Sequence, residues 1–256
     1  MKKDYILIID SGIGGLSTLS EIYKKLPANF IYFADNKHAP YGNHSNDEIY
    51  EFLKEIIDSV CLNYKIVMVV LACNTATTSA IDKLRNEFSG IKFIGTEPAI
   101  KLAYKLNYKH ILSVATPTTI KTKKYKHLAS SLNVCIKNLA LSSFASIIEE
   151  YFVSRSIFAL FCMQKNIYEI VRKSRNCDCL CLGCTHYIFV KNNLKKITKL
   201  PAFDGNFGVF KQVLFWHAKL GIKKESYAKV KFLVSNQTRA TKEIYKKIFY
   251  EILAKV

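Results

Sequence analysis

The chain has 256 residues, half of them apolar, and its 38 Lys and Arg against 20 Asp and Glu give a formal net charge of +18. That length is ample for one large domain or two small ones, and no stretch approaches the roughly 20 uninterrupted apolar residues that a membrane-spanning helix needs. The opening MKKDYILIID holds too short an apolar run for a signal peptide, so a soluble, cytoplasmic protein with no membrane partner is expected.

Taken in chain order, DYILIID is a short isoleucine-rich strand, and SGIGGLSTLSEIYKKL turns through glycines into helical spacing at Leu16 and Leu19. A second strand, FIYFAD, precedes SNDEIYEFLKEIIDSV, where Ser45 three residues before Glu48 is a capping-box signature. Ile49, Phe52, Leu53, Ile56, Ile57 and Val60 then fall on one helix face. KIVMVVLAC is a continuous apolar strand of the kind buried on both sides. It leads into the helix TATTSAIDKLRNEF and the strand IKFIGTEPA. The same grammar restarts at KHILSVATPTTI, continues through VCIKNLALSS and a helix around FASIIEEYF, and reaches CDCLCLGCTHY. Beyond about residue 208 the chain returns to lysine-rich helical spacing, expected to pack back against the first half.

Alternation of strands and helices predicts α/β architecture with mostly parallel sheets covered on both sides. Two similar three-layer α/β domains are expected, one from residues 1–97 plus 208–256 and the other from 98–207. Each contains a strand that ends in cysteine.

The positive charge is nearly all lysine and is spread along the whole chain, with its densest run at KTKKYKH, residues 121–127. Arginine suited to bidentate phosphate contacts is scarce, so a nucleic-acid partner is not expected, although an anionic substrate would be attracted by such a field. Eight cysteines in a chain of this size without an export signal read as reduced thiols. Cys61, Cys135 and Cys162 are expected to act as small core residues.

In open parallel sheets, ligands collect beyond the carboxyl ends of the strands. Here those ends present Asp10 and Ser11, Asp35, Pro40 to Gly42, Cys73 to Thr75, Thr116 to Thr119, and Cys184 to His186. A cysteine at a helix N-terminus is where a thiolate forms most easily, because unpaired N–H groups and the helix dipole favour negative charge. Cys73 and Cys184 both fit that description, with Asp10 and His186 beside them as proton carriers. Two acid/base groups of one kind, one from each half, suit a reaction whose two directions are mirror images. In a racemisation one thiolate removes an α-proton while the opposite thiol reprotonates the other face, and no cofactor is required. N–H groups around Asn74, Thr75, Thr116 and Thr185 would bind an α-carboxylate and stabilise charge building beside it.

These segments resemble the glutamate racemases of the cofactor-independent aspartate/glutamate racemase group. The matching stretches are DSGIGGLSTL, FADNKHAPYGN, LACNTATTSA, IGTEPAI, ATPTTI, IIEE and CLGCTHY, in the family's order over most of residues 6–187. The resemblance implies two domains closing on D- or L-glutamate, with the active site in the cleft between them. It also implies that Cys73 serves the D-enantiomer and Cys184 the L-enantiomer, that Asp10 assists Cys73 and His186 assists Cys184, and that Glu149 is a further acid near the pocket. Ser11, Tyr41, Gly42, Asn74, Thr75, Thr116, Thr119 and Thr185 match positions that hold the substrate. A homodimer and a supply of D-glutamate for peptidoglycan are further implications. Ile188 replaces a proline usual in the family, and the last quarter matches little beyond FDGN near Asp204.

Other readings are weaker. CDCLCLGCTH invites zinc, yet alternate residues of a strand stand about 6.6 Å apart and cannot readily converge on one ion through bonds of about 2.3 Å. Gly12, Gly14 and Gly15 followed by Asp35 resemble a dinucleotide fingerprint, but its third glycine would have to be Ser17. Racemisation of aspartate or another amino acid, and a non-catalytic basic binding protein, are the alternatives to glutamate racemisation.

Overall fold

The computed structural model of the chain describes residues 3–236 and 238–254; Met1, Lys2, Gln237, Lys255 and Val256 lie outside the described residues. It divides into two compact units, one running to Thr96 and resuming at Asn206, the other Glu97–Gly205.

The first unit opens with β1 (Asp4–Asp10), α1 (Gly15–Tyr23), β2 (Asn29–Ala34), α2 (Asn46–Asn63), β3 (Lys65–Leu71), α3 (Asn74–Glu87) and β4 (Lys92–Gly95). α2 starts where the Ser45 hydroxyl accepts the Glu48 N–H while the Glu48 carboxylate accepts the Ser45 N–H, the capping box that the sequence predicts. Alternate side chains of the strands face opposite helical layers. Leu7, Ile9, Val69 and Leu71 pack against Ile49, Leu53 and Ile57 of α2 and Ile81 of α3.

The second unit comprises α4 (Ile100–Lys105), β5 (His110–Ala115), α5 (Pro117–Lys121), α6 (Lys123–Ser130), β6 (Cys135–Ala140), α7 (Phe144–Ser154), α8 (Ile157–Lys173), β7 (Cys179–Gly183), α9 (Lys191–Thr198) and β8 (Ala202–Phe203). Its parallel sheet has the order β6-β5-β7-β8. Leu112, Val114, Leu180 and Leu182 face α7 and α8 through Phe144, Ile148, Met163 and Ile167. Ile111, Cys179 and Cys181 face α4 and α6 through Ile100, Ala103 and Tyr125. Each such buried apolar side chain stabilises the fold by about 1.5–3 kcal/mol relative to exposure.

The chain then returns to the first unit through α10 (Asn206–Lys219), β9 (Lys229–Val234) and α11 (Arg239–Ala254). β9 pairs in parallel with β2, completing the order β4-β3-β1-β2-β9. Phe249 of α11 packs against Phe232 of β9 and Tyr23 of α1, covering the sheet face that Tyr32 and Phe232 share. No helix among the described residues is long and apolar enough to cross a membrane.

Both sheets are thus wholly parallel with helices on both sides, the predicted architecture. One expectation fails in part. Cys135, the first residue of β6, is exposed and Cys162 is only half-buried, so neither is a core residue, whereas Cys61, also half-buried, packs against the first unit's core as expected.

Candidate active site

Each sheet has a point where the chain, having left one strand to one side, comes back on the other, and that crevice at the carboxyl ends is where open α/β sheets bind ligands. In the first unit β1 lies between β2 and β3; in the second, β5 lies between β6 and β7. Asp10 closes β1 and Cys73 follows β3 on its flank; Thr116 follows β5 and Cys184 follows β7. The register Ile9↔Leu71 and Ala115↔Gly183 brings these ends level. Each unit therefore carries one of the two cysteines at its own switch point.

In the first unit Asp10 is wholly buried and its Oδ1 accepts the Gly12 N–H at 2.9 Å. Gly15 must be glycine, since a Cβ there would lie 2.7 Å from Asp10 Cβ and 2.9 Å from Ala72 Cβ. Cys73 caps the N-terminus of α3 without spending its side chain on a cap hydrogen bond. Its carbonyl accepts the Thr77 N–H at 3.0 Å. The Thr77 hydroxyl, 3.0 Å from the same carbonyl, accepts the Thr96 N–H and so ties the loops after β3 and β4 together. Ser11, Asn74 and Thr75 are buried, and among the described residues Asn74 Oδ1 has no hydrogen-bond partner.

The loop after β2 is anchored by Asp35, itself fully buried. Tyr41 donates its hydroxyl hydrogen to Asp35 Oδ2 at 2.7 Å, and His38 Nδ1 lies 3.0 Å from both carboxylate oxygens. The His38 ring stacks on Phe52 of α2, with centroids 3.8 Å apart. Gly42 continues from Tyr41 in a 3₁₀ turn, Tyr41–Asn43. Burial, then the charge and hydrogen bond of Asp35, hold the Tyr41 phenol well above its ordinary value of 10.0, with smaller contributions from Cys73 and Asp10. Tyr41 is accordingly a permanent hydrogen-bond donor, and its ring shares the apolar cluster of Cys73.

In the second unit Cys184 is buried and caps the 3₁₀ turn Thr185–Val190. Its Sγ lies 3.9 Å from His186 Nδ1, and His186 Nε2 lies 2.7 Å from Glu149 Oε2 on α7. Burial opposes a charged His186, but the hydrogen bonds to Cys184 and Glu149, with the negative charge they carry, outweigh it and hold the imidazole well above its usual 6.5. Tyr187 locks the turn by donating to the Leu141 carbonyl at 3.1 Å and packing on Phe144. Thr116 caps α5 by accepting the Thr119 N–H at 3.2 Å, and the two hydroxyls lie 3.0 Å apart. Thr185 is buried in the turn.

The structure brings Asp10, Ser11, Tyr41, Gly42, Cys73, Asn74 and Thr75 to the strand ends of the first unit. It brings Thr116, Thr119, Glu149, Cys184, Thr185 and His186 to those of the second. Residue-by-residue reading does not single out His38, Thr77 or Tyr187, whose contacts support these positions; for His38 the i, i+3 spacing from Asp35 is the available signal. Among the described residues no group of three or more His, Cys, Asp or Glu is placed to hold a metal ion. The alternation of β7 shows why its cysteines do not converge: Cys179 and Cys181 enter one core and Cys184 the other. A cavity of about 780 Å³ in the first unit, between Phe33, Tyr64, Leu233 and Lys242, is lined by none of the candidate site residues.

No family model matches the chain. A glutamate racemase of Clostridium botulinum (strain Alaska E43 / Type E3) is 37% identical over 218 residues, 83% of each chain. Another, from Campylobacter concisus (strain 13826), is 36% identical over 242 residues, covering 90% of this chain and 89% of its own. Among solved structures, the glutamate racemase of Francisella tularensis in complex with D-glutamate is 26% identical, with a TM-score of 0.77 over 98% of this chain and 95% of its own. Identity above one third along more than four-fifths of the chain, on a shared two-sheet fold, shows that this isomerase belongs to the glutamate racemase family.

Proposed function

We propose that the chain interconverts L- and D-glutamate by two-base proton transfer between its cysteines, and thereby supplies D-glutamate for peptidoglycan. The observation that carries this reading is the repetition of one arrangement. At each switch point a buried, cap-position cysteine follows a strand, with a buried proton-carrying group nearby: Asp10 in one unit and His186 with Glu149 in the other.

In this reaction the Cys73 thiolate takes the α-proton of D-glutamate and becomes a thiol, while the Cys184 thiol donates its proton to the opposite face of the α-carbon and becomes a thiolate. The reverse direction exchanges the two roles, so atoms and charge balance without a cofactor. The assignment of Cys73 to the D-enantiomer and Cys184 to the L-enantiomer follows the family resemblance. His186, held cationic, stabilises the Cys184 thiolate, and Asp10 does the corresponding proton bookkeeping for Cys73. The α-carbon is a weak acid, so charge building on the carboxylate must be met by fixed donors. The N–H groups of Asn74, Thr75 and Thr185 and the hydroxyls of Thr116 and Thr119 are the candidates, together with Ser11 and the Tyr41–Gly42 turn. The unpartnered Asn74 Oδ1 is an acceptor suited to the α-ammonium. A reducing cytoplasm suits an enzyme that works through free thiols.

The test is exchange of the α-proton in deuterated water, with each enantiomer as substrate and no cofactor added, followed by NMR and circular dichroism. Deuterium at the α-carbon with loss of optical activity supports the reading. Exchange on aspartate but not on glutamate would move the substrate within the racemase group, and no exchange on either would sink the reading.

A further inference from the structure

Helix α10 carries apolar residues on two sides. Its inward residues Val209, Phe210, Val213 and His217 are buried. At about 100° per residue, Phe207, Lys211, Leu214, Phe215 and Lys219 form the opposite stripe. Phe207, Leu214 and Phe215 are 48%, 44% and 56% exposed, and Leu220 just past the helix is 46% exposed. One apolar stripe is what a surface helix needs to join its own core, so these four side chains have no use within the unit.

The charges around them are of one sign. From Asn206 to Lys224 the sequence holds four lysines and no Asp or Glu. Lys211 lies 4.5 Å from the centre of the Phe207 ring, and Lys219 lies 5.9 Å from that of Phe215. The Trp216 ring is flanked by Lys219 at 4.9 Å and by Lys92 of β4 at 3.4 Å. Among the described residues no carboxylate pairs with Lys92, Lys211 or Lys219. Glu21 of α1, the helix packed on α10, is taken up by Lys25, and Glu225 accepts from the Asn29 side-chain amide. Burial, then the charges of Arg85 and Lys219, hold the Lys92 amine below its ordinary 10.5.

This composition selects the occupant. An exposed row of Phe and Leu flanked by lysines, with no acid among them, is the make-up of a helix that lies in the interface of an anionic bilayer. The rings and leucines enter the boundary between headgroups and acyl chains. The lysine stems lie along them and keep their ammonium groups at the lipid phosphates. Single-stranded nucleic acid fits less well, because it stacks bases on open ring faces, whereas lysines stand over Phe207 and Phe215 and leucine offers no such face. The expectation of no membrane partner rests on the absence of a spanning segment and does not reach a helix that lies flat in the interface. We propose that the outward face of α10, together with Lys92, docks the chain reversibly on anionic lipid bilayers.

The chain's one tryptophan, Trp216, reports on this face directly. Fluorescence titration and co-sedimentation with vesicles of phosphatidylcholine, alone or mixed equally with phosphatidylglycerol, test the proposal. The mixed vesicles are expected to bind the chain and shift Trp216 emission to the blue, with affinity falling as salt rises, and the neutral vesicles to do neither. Phe207→Ser and Phe215→Ser leave the charge unchanged and should each weaken binding by about tenfold or more, given the ring area withdrawn from water. Lys211→Gln and Lys219→Gln should each cost about fivefold. Lys121→Gln with Lys123→Gln, in the densest lysine run of the second unit, should cost far less. All these sites lie outside the candidate active site, so far-UV circular dichroism and turnover of free glutamate should stay unchanged. Equal losses from the second-unit lysines, or binding indifferent to both phenylalanines, would mean that net charge alone draws the chain to lipid, and the assignment falls. It falls equally if the mixed vesicles leave Trp216 unmoved, or if a single-stranded oligonucleotide binds this face and the vesicles do not.

Discussion

Glu149 and His186 are joined by a 2.7 Å contact between Oε2 and Nε2, which leaves the other imidazole nitrogen facing the Cys184 sulfur at 3.9 Å. The carboxylate thus fixes the ring's orientation and favours its cationic form, against the burial that works the other way.

Glu149→Gln keeps the shape and removes the charge. With the raised folded value, the His186 contribution to stability is fully present below the unfolded value of about 6.5 and is lost as the pH rises through the folded value. The variant should therefore be destabilised most at acid pH, by about 1.5–3 kcal/mol for a charge-assisted hydrogen bond, with the difference narrowing in alkali. Thermal unfolding across pH measures this, and an NMR titration of His186 should show its midpoint falling. A midpoint unchanged by the substitution would mean that Glu149 does not tune the ring.

Removing either thiol tests the two-base reading directly. Cys73→Ser and Cys184→Ser should each lower racemisation by about 10²–10⁴-fold, the range of a lost acid/base group, while the far-UV circular dichroism stays unchanged. If either variant kept a near-normal rate in both directions, one thiol would suffice and the paired mechanism would be wrong.

The α/β alternation and the capping box at Ser45 are legible in the sequence because both depend on residues a few positions apart. So is the opposition of Cys179 and Cys181 to Leu182 and Cys184, which follows from the period of a strand. The His186–Glu149 contact is not legible from spacing, since 37 residues separate the pair and only the packing of α7 against the turn after β7 brings them together. The exposure of Cys135 is hidden for a related reason. β6 lies at the sheet edge, and an apolar-looking stretch does not announce whether its strand is central.

Tyr41→Phe removes one of the two side-chain partners that the buried Asp35 has among the described residues. The deletion leaves a buried carboxylate oxygen short of a donor, which costs about 1–3 kcal/mol and should lower Tm by several degrees. If Gly42 of the same turn holds substrate as proposed, KM for glutamate should rise more than kcat falls. Equal losses in kcat and kcat/KM would instead place the hydroxyl in the transition state.

Thiol labelling should follow burial rather than position in the sequence. Cys135, exposed at the sheet edge, should react first with a small alkylating reagent in the native protein, whereas Cys179 and Cys181 are fully buried. The Cys181 thiol is further protected, since its hydrogen bond with Cys179 and its burial push its pKa far above the usual value of 9.0. Mass spectrometry of the peptides after timed labelling gives the order. Rapid native modification of Cys181 would contradict the packing of β7.

Gly15→Ala tests how tightly the first switch point is built. The new methyl would meet Asp10 Cβ at 2.7 Å, Ala72 Cβ at 2.9 Å and the Tyr32 hydroxyl at 3.0 Å. None of these can simply swing away: the Asp10 carbonyl accepts the Asp35 N–H at 2.8 Å, Ala72 N–H donates to the Ile9 carbonyl at 2.9 Å, and Tyr32 donates to the Gly12 carbonyl at 2.6 Å. Overpacking of this kind costs about 1–3 kcal/mol, and the shift falls on Asp10 first. Activity should drop more than stability predicts if Asp10 serves Cys73 as the proposed two-base reading requires. Urea unfolding and racemisation rates measured on the same preparation separate the two effects. A variant with wild-type stability and rate would show that this strand end has room that the structure denies it.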